Sequence, residues 1–332
     1  MSLDGCDTSK LDDIAEQLVF NREGKNLKVI LGGGRAGFRN RTMTDEEGQK
    51  GFRTDGRDLI EQWKTERSAM GNATYIFDRN GLRNLDIENT EYLLGLFEAD
   101  HMKYNMEVIN QNLEHQEPTL TEMTVAAIRM LQKEKNGYFL FVEGGMIDQA
   151  HHKNYAHLSL DETKEFSKAV EAARFMTDEA DTLIVVTADH SHAFTYNGYP
   201  ERRQNIFGSP EVSDEDNLPY GTLSYANGPG FSVTYNSDGS RINPRTADIT
   251  NPRQQSQATV PRDSETHGGE DVGVWASGPM SHLFRGSYDQ TTIPITMAYI
   301  LQVGPYETAA SKSIGPVAMI LASMLLMLKM FK

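Results

Sequence analysis

The chain has 332 residues, enough for one large α/β domain or two smaller ones. Its content of 38% hydrophobic and 24% charged residues is ordinary for a globular protein. The formal net charge of −15 argues against a nucleic-acid surface, although divalent cations in a pocket would dominate the local field and still allow an anionic substrate.

The first third of the chain alternates helical and strand patterns. Residues 11–20 predict an amphipathic helix, and Lys28–Leu31 predicts a strand that ends at three glycines, 32–34. Because these glycines lack the spacing of a phosphate-binding loop, a tight turn is favoured over a phosphate cradle. Another helix begins near Gly56–Trp63, and Thr74–Phe77 predicts a short strand.

The middle of the chain repeats this alternation. Thr119–Glu134 has a capping residue, a glutamate three positions later and one apolar face, which predicts a helix. Tyr138–Val142 and Thr182–Thr187 are short apolar runs typical of buried strands, and Leu160–Asp178 predicts a long helix between them. The pattern predicts an α/β fold, a three-layer αβα sandwich with a mostly parallel central sheet.

Residue types that bind metals follow the first of these two strands. Glu143 ends the strand, and Gly144-Gly145 allows a sharp turn of the backbone. If a helix begins there, Asp148 and His152 share one face and can bind one metal ion, with Glu143 beside a neighbouring one. For an isolated pair, a solvated aspartate and a helix-capping histidine would be the commoner explanation.

Two further blocks favour the metal interpretation. Asp189 and His190 follow the second strand, and ligands of open α/β sheets bind at the carboxyl ends of strands. His267 lies in a loop beside a strand-like run that ends at Trp275. Asp148, His152 and His267 would give zinc three protein ligands and leave a fourth position open, as in catalytic sites. The Asp-His pair would begin a second site.

The sequence changes character between residues 197 and 263. Gly, Pro, Asn, Ser and Arg dominate this segment, with brief β-like runs such as Phe231–Tyr235. A disordered linker is one interpretation. A small ordered insertion fits better, because a linker would have to keep His267 in register with Asp148 and His152.

The C-terminus is predicted to be separate from the fold. Thr292–Val303 predicts an apolar helix that closes the domain, and small polar residues then precede the apolar run Ile314–Met330. This run is shorter than the roughly 20 residues of a spanning helix. It suits the removable tail of a GPI signal, with Ser311 as a candidate attachment site, and a short tail anchor is the alternative.

Three motifs resemble the alkaline phosphatase family. They are V-E-G-G-x-I-D-x-x-H-H at 142–152, T-A-D-H-S-H at 187–192 and E-T-H-x-G-E-D-V at 265–272. Three shorter segments match animal, membrane-anchored members: Gly32–Arg35, Gly95–Glu98 and Asn227–Gly230. The resemblance extends from about Cys6 to about Tyr306.

This resemblance implies hydrolysis of phosphate monoesters by a centre with two zinc ions and one magnesium ion. The implied ligands are Asp148, His152 and His267 for the first zinc, Asp189 and His190 for the second, and Glu143 for magnesium. It also implies a homodimer in the full-length form. Residues 1–196 and 264–306 would form the phosphatase-like domain without its N-terminal part, 197–263 a crown-like insertion, and 307–332 the anchor signal.

A calcium site is a further implication of the resemblance. The Phe97 carbonyl and Glu98 match one part of the site in animal members, and Glu117 stands where aspartate is frequent. A carboxylate at Glu46 or Glu47 would complete the set of oxygen ligands. Three surface acids in an acidic protein are the alternative.

Localisation depends on what precedes Met1. The first five residues lack the features of a secretory signal, and Cys6 is the single cysteine, whereas family members pair this cysteine with one upstream. Both observations predict an N-terminally truncated chain. With an upstream signal peptide, the protein would be GPI-anchored on the extracellular face of the cell membrane, with Asn40 and Asn72 as glycosylation sites.

The nucleophile of the family is a serine in an Asp-Ser-Ala motif, which does not occur in the 332 residues. Asp263-Ser264 is followed by Glu265 and is no substitute. One hypothesis is a fragment of an ordinary alkaline phosphatase that is inactive alone. A second is a non-catalytic zinc-binding surface protein or a partner of a full-length subunit. A third, disfavoured by the insertion and the first motif, is a related phosphodiesterase or sulfatase.

Overall fold

The computed structural model describes residues 11–110, 116–307 and 318–323. The chain divides into two compact units. The first contains Met1–Lys103 and Glu107–Lys133, and the second contains Tyr104–Met106 and Glu134–Lys332. The predicted phosphatase-like domain therefore spans both units, and the helix α5 (Asn105–Asn110) lies where they divide in sequence.

The first unit contains a three-stranded parallel sheet in the order β1-β3-β2. Its strands are β1 (Val29–Gly32), β2 (Ala73–Ile76) and β3 (Tyr92–Leu96). Its helices are α1 (Ile14–Phe20), α2 (Arg22–Lys25), α3 (Leu59–Ser68), α4 (Arg79–Arg83) and α6 (Leu120–Leu131). β3 is buried along its whole length because it pairs on both sides, and Trp63 of α3 packs against Leu94 and its neighbours in the core.

Short-range hydrogen bonds set the starts of these helices. The Thr119 hydroxyl accepts from the Glu122 N–H at 3.2 Å, and the Glu122 carboxylate accepts from the Thr119 N–H at 3.0 Å, which is the capping box predicted for α6. Aspartates cap α1, α3 and α4 in the same position. An N-cap of this kind contributes about 1 kcal/mol to stability.

The second unit contains a four-stranded sheet in the order β11-β5-β12-β4. Its strands are β4 (Phe139–Glu143), β5 (Thr182–Thr187), β11 (Trp275–Ser277) and β12 (Ala318–Ser323). Three of them are parallel and β11 is antiparallel to β5. The helices of this unit are α7 (Met146–His152), α8 (Ala156–Met176) and α9 (Thr292–Leu301). The predicted α/β class with a mostly parallel sheet is confirmed.

The backbone of β12 differs from the predicted separate tail. Its six residues lie between β4 and β5, with Ile320 opposite both Leu140 and Ile184. A strand in this position satisfies N–H and C=O groups of both neighbours, which would otherwise lack sheet partners. Ser311 lies outside the described residues, as do the rest of 308–317 and 324–332. In the part of the chain that the structure describes, no helix is both long and apolar enough to cross a bilayer.

The predicted insertion is ordered. β6 (Phe194–Tyr196), β9 (Leu223–Gly228) and β10 (Gln257–Pro261) form one small sheet, and β7 (Glu211–Val212) pairs with β8 (Pro219–Tyr220). Two strand predictions nearby are wrong. The predicted β-like run Phe231–Tyr235 instead begins within a 3-10 helix, Pro229–Val233, whose first residue is a proline with φ already near the helical value. The run ending at Trp275 becomes a strand only from that residue onward.

Candidate metal centre

The site is assembled where β4 and β5 end. Gly144 follows β4 at a turn where an added Cβ would lie 3.1 Å from the Phe166 ring, so a larger residue would crowd the core. α7 then begins, as the sequence predicts, and places Asp148 and His152 on one face. The Asp148 Oδ1 atom lies 3.3 Å from His152 Nε2.

His267 completes a triangle with these two residues. Its Nε2 atom lies 3.3 Å from His152 Nε2 and 3.4 Å from Asp148 Oδ1. A tetrahedral zinc ion with ligand bonds of about 2.1 Å has ligand–ligand edges of about 3.4 Å. The three atoms therefore have the spacing of one face of a zinc tetrahedron, and they form one of the groups able to hold a metal ion.

Buried polar atoms of this cluster that lack hydrogen-bond partners could also coordinate a cation. Asp148 Oδ1, His190 Nε2 and His192 Nε2 are buried and have no hydrogen-bond partner of acceptable geometry, although Asp148 Oδ1 and His192 Nε2 are only 3.0 Å apart. A buried polar atom without a partner costs about 1–3 kcal/mol. A metal ion at this point would satisfy such atoms.

Asp189 and His190 lie beside the triangle. His190 Nε2 is 3.1 Å from Asp189 Oδ2 and 3.8 Å from Asp148 Oδ1, and its ring stacks on that of His267 with centroids 3.5 Å apart. The two residues can supply an oxygen and a nitrogen to a second ion. They are too few to complete a zinc site alone.

Glu143 is the last residue of β4 and is half-buried. A Cβ placed on Gly145 would lie 3.2 Å from its Oε1 atom, so the carboxylate is folded over the turn. Glu143 is absent from the three-donor groups found among the described residues. Its assignment to magnesium stays a prediction.

Two residues of the cluster were missed by the sequence prediction. His192 Nδ1 donates to Glu265 Oε2 at 2.7 Å, and the Glu265 side chain is completely buried. Each lies two positions from a predicted ligand, His190 or His267, and residues two apart on an extended segment point to the same side. This spacing was the available signal.

Mutual electrostatics set the proton affinities in the metal-free cluster. Burial raises the pKa of Asp148, but the imidazoles of His152 and His192 outweigh it and hold that pKa well below its usual range. Burial likewise opposes protonation of His192, but the carboxylates of Asp148 and Glu265 raise its pKa to about 9. Metal ions therefore compete with protons at this site.

His151 faces away from the triangle. It is buried, shares a hydrogen bond of 2.8 Å between Nδ1 and the Tyr225 hydroxyl, and stacks on His192. Burial lowers its pKa to about 3, so the ring is neutral. His151 therefore packs the core between α7 and β9.

The residues predicted for calcium have other partners. Lys103 pairs with both Glu98 and Glu117, its Nζ lying 3.0 Å from Glu117 Oε1. Glu46 pairs with Arg39 at 2.5 Å. The Phe97 N–H donates to a carbonyl of β1. Among the described residues no three of these donors form a metal-holding group, so calcium binding here stays a prediction.

The two sequons are placed differently. Asn72 is exposed and its side-chain amide donates to the Asn89 carbonyl at 2.8 Å. Asn40 is half-buried, and its Oδ1 accepts from the Thr42 N–H at 2.9 Å. Glycosylation of either residue stays a prediction.

Comparisons with known proteins agree with the family resemblance of the three sequence motifs at 142–152, 187–192 and 265–272. Residues 2–303 match the family model described as alkaline phosphatase. The chain is 43% identical over 325 residues to the membrane-bound alkaline phosphatase of Bombyx mori. This alignment covers 97% of the present chain and 58% of the Bombyx mori protein. It is 41% identical over 323 residues to the human tissue-nonspecific isozyme, covering 93% of this chain and 60% of that one.

Solved structures show the same fold at lower identity. The cold-active alkaline phosphatase from Shewanella sp. superposes with a TM-score of 0.54 and 22% identity, covering 86% of this chain and 67% of that chain. A TAB5 alkaline phosphatase mutant with Mg bound in its M3 site gives a TM-score of 0.52 at 21% identity, covering 84% and 62%. The chain spans about three-fifths of the length of the two relatives from Bombyx mori and human.

Proposed function

Because the chain belongs to the alkaline phosphatase family, we propose that its aspartate–histidine cluster is part of the metal centre of a phosphomonoester hydrolase. The observation that carries the proposal is the triangle of Asp148 Oδ1, His152 Nε2 and His267 Nε2, with edges of 3.3 Å, 3.3 Å and 3.4 Å. These three residues would hold the first zinc ion. Asp189 and His190 would belong to the second, and Glu143 to magnesium.

Backbone carbonyls prepare two histidines for metal binding. His152 Nδ1 donates to the Glu265 carbonyl at 2.6 Å, and His190 Nδ1 donates to the Ser191 carbonyl at 3.0 Å. In a neutral ring the proton is then on Nδ1, and the lone pair on Nε2 is free to bind a metal. Zinc, when bound, supplies positive charge that stabilises the attacking and leaving oxygens of the ester.

The 332 residues alone are proposed to be inactive towards phosphate esters. They contain no Asp-Ser-Ala nucleophile motif, and the two residues proposed for the second zinc, Asp189 and His190, are too few to complete its site. The same observation supports the alternative, a non-catalytic zinc-binding surface protein or a partner of a full-length subunit, because the three ligands of the first zinc do not depend on the serine.

Anchoring and assembly are further parts of the proposal. Membrane attachment is supported by the similarity to the membrane-bound relative from Bombyx mori. A homodimer of the full-length form, a lipid anchor near Ser311 and an extracellular location are proposed from the sequence motifs alone. Removal of the apolar tail during lipid attachment would also remove β12 from the sheet. The anchored form would therefore need another partner for β4 and β5.

The metal assignment is tested by zinc binding to the purified chain. We expect His152→Ala to lose one equivalent of bound zinc, because only two ligands of the triangle remain. His151→Ala is the matched control: it should lower the free energy of unfolding by about 1–3 kcal/mol through loss of the buried hydrogen bond to Tyr225, yet keep the zinc. Metal content is measured by elemental analysis, and unchanged zinc in His152→Ala would contradict the assignment.

A further inference from the structure

Glu265 is linked to two members of the triangle, to His152 directly and to Asp148 through the ring of His192. Its backbone carbonyl accepts from His152 Nδ1 at 2.6 Å, and its N–H donates to the His152 carbonyl at 3.0 Å. Its side chain reaches the other member through an intermediate ring, since Glu265 Oε2 accepts from His192 Nδ1 at 2.7 Å and His192 Nε2 lies 3.0 Å from Asp148 Oδ1.

The carboxylate of Glu265 is held without access to solvent. Its side chain is 0% exposed. Burial of a carboxylate is unfavourable unless the group is paired and hydrogen-bonded. Both oxygens meet this condition, because Oε2 accepts from His192 and Oε1 accepts from the Ala193 N–H at 2.7 Å.

Attachment of the loop does not explain the carboxylate. The neighbouring Thr266 already ties the loop to β9, since its N–H donates to Asn227 Oδ1 at 2.9 Å and its hydroxyl accepts from Asn227 Nδ2 at 2.8 Å. The Thr266 carbonyl also accepts from the Ala193 N–H at 3.1 Å. The Glu265 side chain shares the Ala193 N–H with that carbonyl, and the contact that Thr266 does not duplicate is its bond to the His192 ring.

We propose that Glu265 is a positioning residue that sets the orientation of His152 and Asp148 towards the metal ion. Its carbonyl keeps the His152 proton on Nδ1, and its carboxylate holds His192 against the Asp148 carboxylate. This inference rests on the proposed zinc site. Loss of such an outer contact typically costs about 10-fold to 100-fold in metal affinity.

The test compares Glu265→Gln with the control Tyr225→Phe in the full chain. Glutamine has almost the same size but offers one acceptor oxygen to two donors, His192 Nδ1 and the Ala193 N–H. Tyr225→Phe removes a buried hydrogen bond to His151, which is adjacent in sequence to His152 but lies outside the triangle. Zinc affinity is measured by competition with a chromophoric chelator, and ligand geometry by the visible absorption of Co²⁺ bound in place of zinc.

Glu265→Gln should weaken zinc binding about 10-fold to 100-fold and alter the Co²⁺ spectrum, whereas Tyr225→Phe should leave both unchanged. Wild-type affinity and spectrum in Glu265→Gln, or equal losses in both variants, would overturn the inference. A wild-type chain that binds no zinc would instead refute the proposed function. If circular dichroism shows that Glu265→Gln does not fold, Glu265→Asp decides, because its shortened carboxylate should also weaken zinc binding and wild-type affinity would overturn the inference.

Discussion

Each histidine of the cluster presents a particular ring nitrogen to its neighbours. His152 and His190 donate through Nδ1 to backbone carbonyls, which leaves Nε2 for a metal. His192 instead lies between two carboxylates, with Nδ1 on Glu265 and Nε2 beside Asp148. The same residue type therefore has two roles, and the hydrogen-bond partner of Nδ1, a backbone carbonyl or a carboxylate, distinguishes them.

Protonation of His192 makes the stability of the metal-free protein depend on pH. Its pKa is about 9 in the folded protein, against about 6.5 for an unperturbed histidine. A raised pKa contributes stability that is fully present below pH of about 6.5 and is lost as pH rises through about 9. The titratable groups facing the ring are Asp148, His151, His152, His190, Glu265 and His267.

We therefore expect the free energy of unfolding of the metal-free chain to fall between pH of about 6.5 and about 9. His192→Asn should show a flatter profile, because the ionisable ring is gone. Urea unfolding in the presence of a chelator, at a series of pH values across this range, measures the effect. Parallel profiles of the wild type and the variant would assign the pH dependence to other groups.

At the scale of secondary-structure elements, the sheet of the second unit depends on β12. β4 and β5 carry the residues that lead into the candidate metal centre, and β12 pairs with β4 over five residues and with β5 over six. Their carboxyl ends, Glu143 and Thr187, lie opposite the same residue, Ser323. The register of β12 therefore helps to set how far the turn after β4 lies from Asp189, which follows β5.

Truncation tests this dependence. Removal of residues 308–332 should lower the melting temperature or cause aggregation, because two parallel strands would be left with open edges. Removal of residues 324–332 alone is the matched control, since it keeps β12, and it should melt like the full chain. Thermal unfolding and size-exclusion chromatography measure the outcome. Equal behaviour of both truncations would show that the sheet does not need this strand.

The insertion is also fixed to the elements that carry the candidate ligands. Asn154, directly after α7, is fully buried and has a positive φ of 57°. Its Oδ1 accepts from the Gly230 N–H at 2.8 Å, and its Nδ2 donates to the Asn227 carbonyl at 3.2 Å. These bonds connect the end of β9 to the turn after α7, in agreement with the rule that buried polar groups find partners on neighbouring elements.

At the scale of the whole molecule, the negative net charge disfavours an anionic ligand, whereas the candidate metal centre favours one. The chain carries a formal charge of −15, yet the proposed substrates are anionic. Metal ions in the cluster would reverse the sign of the field where the ester binds, independently of distant surface charges. Net charge is therefore a poor guide to substrate charge in a metal-dependent enzyme.

The 332-residue chain, loaded with zinc and magnesium, should show no appreciable turnover of a chromogenic phosphate ester at alkaline pH. Removal of a catalytic nucleophile lowers kcat by a factor on the order of 10⁶, and the Asp-Ser-Ala motif is absent from this sequence. His267→Ala serves as the control for contaminating activity. Turnover near that of an ordinary family member, abolished by His267→Ala, would show that the nucleophile lies within these residues.

Much of the local structure could be predicted from the sequence. The capping box of Thr119 and Glu122, the strands β4 and β5, and the shared face of Asp148 and His152 were all predicted, and the structure contains them. Each depends on residues no more than a few positions apart, for which backbone geometry alone sets the distance. The predicted burial holds for β5, but β4 buries only alternate residues and leaves Phe139 and Phe141 exposed.

The remaining features required the tertiary structure. His192 meets Glu265 across 73 positions, and His152 meets the same residue across 113. Lys103 takes both Glu98 and Glu117 as partners, and β12 enters the sheet between β4 and β5. The sequence by itself determined the family, the α/β class and the residue types of the candidate metal centre. The tertiary structure decided which side chains contact the candidate ligands, because contacts between distant segments follow from packing, and residue spacing does not specify them.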